Sequence, residues 1–150
     1  MVVALVLFNL YMFRDDIFYR PNDNLKVVDV KDFRGIENLK LTGEVYEVVD
    51  NIGNYHGTGI LRVNIIETNI EYYDPRDHQA NYYCIIKNGK AELYVKGVSD
   101  IKPNDSIFVN ISQEKSIVFN SKRNYNRQLS FIVYSRRFFD FIKRKGYQEI

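Results

Sequence analysis

The sequence contains no tryptophan, one cysteine, two histidines and three prolines among its 150 residues. A single cysteine excludes both an intrachain disulfide scaffold and a zinc site made of several cysteines. Three prolines and eight glycines are too few for a collagen-like chain or a flexible linker. The hydrophobic fraction of 45% and the charged fraction of 27% are those of a folded globular protein, and the length suits one domain.

Tyrosine (12) and phenylalanine (10) are abundant, and aromatic and branched side chains favour β-strands because they pack well on a pleated surface. Beyond residue 24, short apolar runs alternate with turns rich in Gly, Asn and Asp, which is typical of a small all-β domain. Asn88-Gly89 is the strongest hairpin signal, because a type I′ turn needs a positive φ at both central residues. Folding about this turn pairs Cys84 with Leu93 on an apolar face, so we expect Cys84 to be buried.

Five further strands are predicted over residues 42–49, 59–66, 106–111, 116–119 and 129–134. A helical spacing of apolar residues over 135–145 predicts a C-terminal amphipathic helix. Gly43-x-Val45 in the first of these strands, together with residues 101–107 before a late strand, resembles an OB-fold over roughly residues 39–134. This resemblance implies a small OB-like β-barrel of five to six strands. The predicted organisation is therefore a hydrophobic N-terminal segment (1–20) followed by a β-barrel domain with its C-terminal helix (25–150).

Residues 1–13 are apolar except for Asn9. As a helix they would span about 20 Å, less than the roughly 30 Å hydrocarbon core of a bilayer. Three interpretations remain open: the end of a membrane anchor, the core of a signal peptide, or a buried element of the domain. The anchor interpretation places the protein at a membrane or in the cell envelope, and the third interpretation is compatible with a cytoplasmic protein.

Charge is unevenly distributed along the chain. Residues 121–150 carry a net charge of +6, whereas the first 120 residues carry −4. The segment 121–127 alternates cations with an aromatic ring and is expected to be a loop, and in OB-folds the comparable loop often borders the ligand groove. The candidate ligand-binding residues are Lys122, Arg123, Tyr125, Arg127, Arg136 and Arg137. Cations would bind phosphates of a nucleic acid or an anionic lipid, and Tyr125 would stack on a base. The competing interpretation is a solvated basic loop.

No catalytic motif is present. The run Gly57-Thr58-Gly59 lacks the third glycine of a dinucleotide fingerprint, and His56 and His78 do not lie at metal-ligand spacing from Cys84. We therefore expect no catalytic residue, no metal site and no cofactor. The sequence favours a non-enzymatic binding module that recognises a protein or an envelope component at a bacterial membrane. The alternative is an OB-type domain that binds single-stranded nucleic acid.

Overall fold

The computed structural model describes residues 26–27, 38–50, 57–78, 83–113, 115–133, 140, 143–144, 146–148 and 150. These residues form an all-β structure with one very short continuous helix, α1 (Pro75–His78), and helical residues at Asp140, Lys143 and Arg144. Single turns of 3-10 helix occur at Ile111–Gln113 and Ser121–Arg123. The strands are β1 (Lys26–Val27), β2 (Lys40–Asp50), β3 (Thr58–Thr68), β4 (Cys84–Lys87), β5 (Lys90–Lys96), β6 (Ser106–Asn110), β7 (Lys115–Asn120), β8 (Tyr125–Gln128) and β9 (Ser130–Val133).

All the strand pairs are antiparallel, and the strands follow the order β1-β9-β5-β3-β2-β6-β7-β8, with β4 paired to β5. The all-β prediction is confirmed. Among the described residues no ladder joins the end strands β1 and β8, so closure of the sheet into a barrel is not confirmed. Most of the expected C-terminal helix and the whole of segment 1–20 lie outside the described residues. No helix in the described part of the chain is long and apolar enough to cross a membrane.

The β4–β5 hairpin has the predicted register. Asn88 and Gly89 both have positive φ, at 54° and 70°, as a type I′ turn requires. Cys84 lies opposite Leu93 and is fully buried, and burial raises the pKa of its thiol. This cysteine is therefore a core side chain rather than a nucleophile, as the sequence predicted.

The main core lies on the inner side of the sheet and receives side chains from seven of its strands. Its buried members are Leu39, Leu41, Val45, Leu61, Val63, Tyr73, Tyr83, Cys84, Ile86, Ala91, Leu93, Val95, Val98, Ile101, Ile107, Val109, Ile111, Val118, Leu129 and Phe131. Neighbouring residues along each strand point to the other side of the sheet, because side chains alternate along a strand.

The long hairpin β2–β3 is irregular at two places, and both shape the surface. Tyr46 is an extra residue in β2, and Ile66 is an extra residue in β3, because the register shifts by one at each of them. Gly43 lies between them, and a Cβ there would come within 2.5 Å of the Asn64 carbonyl oxygen. Only glycine allows this close approach of the two strands.

The largest differences from the predicted strands lie in the β2–β3 hairpin and after β7. β2 and β3 extend to Lys40–Asp50 and Thr58–Thr68. Residues 125–127, expected to belong to a loop, form strand β8 with Gln128, and this strand pairs with β7. The loop that was expected over 121–127 is therefore reduced to the 3-10 turn and Asn124. Asn124 makes this tight connection with a left-handed backbone, at φ 49°.

Candidate functional site

One outward surface of the sheet leaves apolar side chains uncovered. We call it the open face, and its members are Ile66, Phe108, Lys115, Ile117 and Phe119. Phe108 and Ile117 are direct partners across the β6–β7 ladder, so their side chains are neighbours on this face. Ile66 is 76% exposed and Phe119 is 38% exposed. The bulge at Ile66 explains its exposure, because the extra residue of a bulge leaves the pleat of the strand.

Adjoining depressions make the open face concave. One, of about 390 Å³, lies over β2, β6 and β7 and is lined by Thr42, Gly43, Ile66, Ser106, Ile107, Phe108, Lys115, Ile117 and Phe119. A second of about 390 Å³ shares Ile117 and Phe119 and continues towards the β7–β8 turn. A third, of about 210 Å³, shares Thr42 and Phe108 and continues towards Asn69. Together they form one groove across the outer side of β2, β6 and β7.

The electrostatics of the groove are simple. Lys115 is the only charged residue among the described lining residues of the two larger depressions. Its ammonium group lies 5.6 Å from the centre of the Phe108 ring, which is a cation–π contact. The far end of the groove is lined by Ser121, Asn124 and Asn126, whose hydroxyl and amide groups can donate and accept hydrogen bonds. The two larger depressions are therefore apolar along their floor, cationic at one side and polar at one end, whereas the third depression is lined by one cation and one carboxylate, Lys40 and Glu67.

A buried carboxylate fixes the loop at that polar end. Asp105 is fully buried and forms an ion pair with Arg123. Its oxygens also accept from the Asn120 side chain at 2.7 Å and from the Lys102 N–H at 2.9 Å. Asn120 in turn caps the 3-10 turn by accepting from the N–H groups of Lys122 and Arg123. The turn is thus held against the segment before β6.

These contacts also set the ionisation of Asp105. Burial opposes its charged form, but the hydrogen bonds from Arg123, Lys102 and Asn120 outweigh burial and hold the pKa of this carboxyl below its usual range. Arg123 also lies over the Tyr125 ring, with its guanidinium carbon 4.8 Å from the ring centre. Arg123 therefore already has an anionic partner and an aromatic partner within the protein.

The residues predicted to bind a ligand differ in their exposure and in their contacts within the protein. Lys122 is exposed, whereas the Tyr125 side chain is half-buried and packs against the main core. Arg127 lies 3.5 Å from Asp100, and its guanidinium occupies the space where a side chain at Gly97 would be. Arg136 and Arg137 lie outside the described residues. The structure thus brings Arg123 and Tyr125 together, and both cations of the 3-10 turn, Lys122 and Arg123, are exposed.

The outward surface of β3, β4 and β5 has the opposite character, and we call it the covered face. Ile60, Ile85, Glu92 and Tyr94 lie there fully buried, outside the main core cluster. Glu92 lies directly across the β3–β5 ladder from Arg62, and Arg62 Nε donates to Glu92 Oε1 at 3.1 Å. Arg62 also donates to Glu47 at 2.8 Å. The covered face therefore has an ion pair among apolar side chains.

For each of Glu92 and Arg62, burial and neighbouring groups shift the pKa in opposite directions. Burial raises the pKa of Glu92 despite opposing contributions from Tyr147, Arg62 and the Ile150 N–H. For Arg62, burial alone would lower the pKa, but contacts with Tyr147 and Glu47 raise it. Arg62 therefore stays charged and carries the positive charge of this cluster.

The open face is not predicted by the sequence patterns described above, although one signal of it is present. Ile117, Val118 and Phe119 are consecutive apolar residues in a strand, so both sides of β7 present apolar groups. A strand with one solvated side would instead alternate with polar residues. No sequence signal marked the ion pair of Arg62 and Glu92, because the two residues are 30 positions apart.

No group of three or more His, Cys, Asp or Glu side chains converges as a metal site in the part of the chain that the structure describes. Asp74, which directly precedes α1, forms an ion pair with Arg76, and this pair lowers the pKa of Asp74. Comparisons with protein-family models, curated proteins and solved structures give no match for this chain.

Proposed function

We propose that this protein is a non-enzymatic binding module that holds a partner protein in the groove of its open face. The observation that carries the proposal is the exposure of contiguous apolar side chains, with Ile66 76% and Phe119 38% exposed. Contiguous apolar patches rimmed by polar groups are typical of protein interaction sites. The groove is rimmed in this way by Lys115, Asn124 and Asn126.

The lining chemistry supports binding rather than catalysis. Apart from Lys115, the described lining residues of the two larger depressions are apolar, hydroxyl or amide side chains and one glycine. Such groups fix a ligand by contact and hydrogen bonds but do not exchange protons near neutral pH. A general acid or base would need a titratable group within hydrogen-bond reach of the reacting atom.

The test is affinity capture followed by reconstitution. Wild-type protein and the double variant Ile66→Asp/Phe119→Asp are immobilised, and a protein retained only by the wild type is purified and titrated by calorimetry. We expect at least a roughly tenfold loss of affinity in the double variant, since a charge in an apolar interface opposes desolvation. Tyr72→Asp is the matched control, because Tyr72 is 56% exposed but does not line the groove. Equal affinities of wild type and double variant would contradict the proposal.

Single-stranded nucleic acid is the second candidate ligand, favoured by the cation–π pair of Lys115 and Phe108 and by the exposed Lys122 near the polar end of the groove. In this mode, bases stack on aromatic rings while cations bind phosphates. Binding would weaken with salt by about 0.7 logarithmic units per phosphate contact. The exposed ring is Phe119, so Phe119→Ser is the informative variant, and Tyr125→Ala tests the prediction made from sequence. Titration of labelled oligonucleotides at two salt concentrations separates this ligand from a protein partner.

An OB-like barrel is the finer proposal for the fold. It is supported by the path of the last two strands: β8 pairs with β7 and β9 pairs with β5, yet only Leu129 separates them. The Leu129 N–H donates to the Ser116 carbonyl at 2.7 Å. A single residue cannot span a flat sheet between β5 and β7, so a strongly curled sheet accounts for this path. Cysteine pairs engineered between β8 and the 97–101 segment, and their rates of disulfide formation, test closure.

Display at a membrane is a separate proposal and rests on the apolar sequence of residues 1–13. A variant that starts at Asn24 is expected to remain in solution without detergent and to unfold cooperatively. The full chain is expected to sediment with membranes. Loss of folding in the shortened variant would favour the interpretation of residues 1–13 as part of the domain.

A further inference from the structure

The last described residues of the chain lie on the covered face. We call Gly146, Tyr147, Gln148 and Ile150, which are the described residues of this segment, the strap. Gly146, at φ 92°, donates its N–H to the Lys143 carbonyl at 3.0 Å and starts the strap. The Tyr147 ring then lies over Arg62, with the guanidinium carbon 5.3 Å from the ring centre. The strap thus begins at a tight turn and meets the sheet through an aromatic ring.

Two backbone groups of the strap bind to the ion pair. Arg62 Nη2 donates to the carbonyl of Gln148, and the N–H of Ile150 donates to Glu92 Oε1 at 3.2 Å. The strap therefore offers Arg62 and Glu92 a backbone carbonyl and a backbone N–H, which are also the groups that a strand edge offers to a neighbouring strand.

Arg62 and Glu92 also have partners within the sheet, in addition to the strap. Arg62 contacts Glu92 at 3.1 Å and Glu47 at 2.8 Å, and Glu92 Oε2 accepts from the Tyr94 hydroxyl at 3.4 Å. Gln148 is exposed, while Tyr147 and Ile150 are half-buried, so one side of the strap faces solvent. The ion pair is therefore held by contacts within the sheet, and the strap lies over it.

We propose that Arg62 and Glu92 form a recognition site for extended peptide backbone, which the strap occupies within the chain and which a peptide segment of a second protein occupies after displacing it. The matching segment has an aromatic residue, a free carbonyl at the next residue and a free N–H two residues further on. The site binds mainly backbone groups of the peptide, and one contact with an aromatic side chain provides selectivity, as in other modes of strand-like peptide binding. The site is separate from the groove of the open face and does not depend on the function proposed for it.

The test uses a labelled peptide with the sequence of residues 146–150, capped at both ends, and fluorescence anisotropy. In the wild type the strap competes at the high effective concentration of a tethered segment, so we expect weak binding of the peptide. In full-length Tyr147→Ala, the strap loses its aromatic contact with Arg62 and therefore competes less strongly for the site. We expect this variant to bind the peptide about tenfold more tightly than the wild type does, since an aromatic anchor commonly contributes a tenfold change in affinity. Adding Arg62→Lys should abolish this gain in affinity. Lysine lacks the planar guanidinium, whose three nitrogens can donate to Glu92, Glu47 and the peptide at the same time.

Two controls identify the contacts. The same peptide N-methylated at its isoleucine lacks the N–H for Glu92 and should not bind, and a peptide with alanine in place of tyrosine should bind about tenfold more weakly. Equal binding of the N-methylated peptide would overturn the proposal. So would a folded Tyr147→Ala protein that does not bind the parent peptide.

Hydrogen exchange of the wild type is an independent measurement that needs no variant. We expect the Ile150 amide to be protected but to exchange through a local opening, faster than the amides of the β3–β5 ladder. Exchange of the Ile150 amide only together with that ladder would show that the strap is an integral part of the sheet and would overturn the proposal.

Discussion

The open face and the covered face are two outward surfaces of one sheet, but they differ in how their side chains are used. On the covered face, Ile60 and Ile85 are fully buried, and Glu92 is completely removed from solvent beside Arg62. On the open face, Ile66 and Phe119 remain exposed. Lys115, the one cation among the described lining residues of the two larger depressions, lies over the Phe108 ring rather than beside a carboxylate. The hydrophobic residues of the covered face therefore stabilise the fold, whereas those of the open face are available for binding.

The largest difference is expected when each face loses its cation. Arg62→Met leaves Glu92 buried without its charged partner, and we expect a loss of about 3–5 kcal/mol in the free energy of unfolding. Lys115→Met, the matched change on the open face, removes an exposed cation–π contact and should cost no more than about 1 kcal/mol. Urea denaturation of both variants measures the two values. Similar losses in the two variants would mean that the two faces are not distinct.

Two isoleucines of the long β3 strand allow a second comparison. Ile60→Ala removes a fully buried side chain from the covered face and should destabilise the protein by about 2–5 kcal/mol. Ile66→Ala changes a side chain that is 76% exposed and should alter stability by no more than about 0.5 kcal/mol. The same denaturation experiment provides both numbers. A loss above about 1 kcal/mol for Ile66→Ala would show that this position is packed rather than open.

The sequence predicted those parts of the fold that depend on local pattern. The register of the β4–β5 hairpin and the burial of Cys84 opposite Leu93 follow from the Asn88-Gly89 turn, because the turn determines which residues of the two strands are partners. β8 was missed because Asn126 and Gln128 are polar, and their strand conformation comes from pairing with β7 rather than from their own preference. Strand propensity is a weak guide wherever a neighbouring ladder decides the conformation.

The candidate site was harder to predict, because the contacts that define it join distant residues. Arg123 looked like a free cation of a basic loop, but it pairs with Asp105, 18 positions earlier in the chain. Similarly, nothing near Glu92 in sequence indicates that Arg62 and residues of the strap enclose it. Local periodicity tells which side of a strand a residue occupies, but it does not tell what covers that side.

The two fully buried carboxylates should respond to pH in opposite directions. The pKa of Glu92 is raised in the folded protein, so the folded state binds more protons than the unfolded state above about pH 4, and stability falls as pH rises through this window. The pKa of Asp105 is lowered, so its contribution is present above about pH 4 and is lost as pH falls below that value. Glu92→Gln should therefore reduce the fall in stability that occurs as pH rises above about 4. Asp105→Asn should reduce the loss of stability that occurs as pH falls below about 4.

Thermal denaturation between pH 2 and pH 7 measures these slopes, with each variant compared against the wild type. A change in the pH dependence of stability in the same direction for Glu92→Gln and Asp105→Asn would contradict this expectation. That result would mean that the pKa of one of the two carboxyls is shifted in the folded protein in the direction opposite to that expected from its burial and contacts.

The smallest expected difference between two paired variants concerns Phe119, and its neighbour Val118 provides the reference. Val118 belongs to the main core and is fully buried, so Val118→Thr brings a hydroxyl group into an apolar interior and should cost about 1–3 kcal/mol. Phe119→Thr acts on the open side of the same strand, and threonine also favours strands, so the free energy of unfolding should fall by no more than about 1 kcal/mol. The two positions share a backbone environment, and the difference between the variants therefore reports only which side of β7 is covered. If Phe119→Thr destabilised the protein as much as Val118→Thr, the Phe119 ring would be part of the packed structure rather than free to contact a partner.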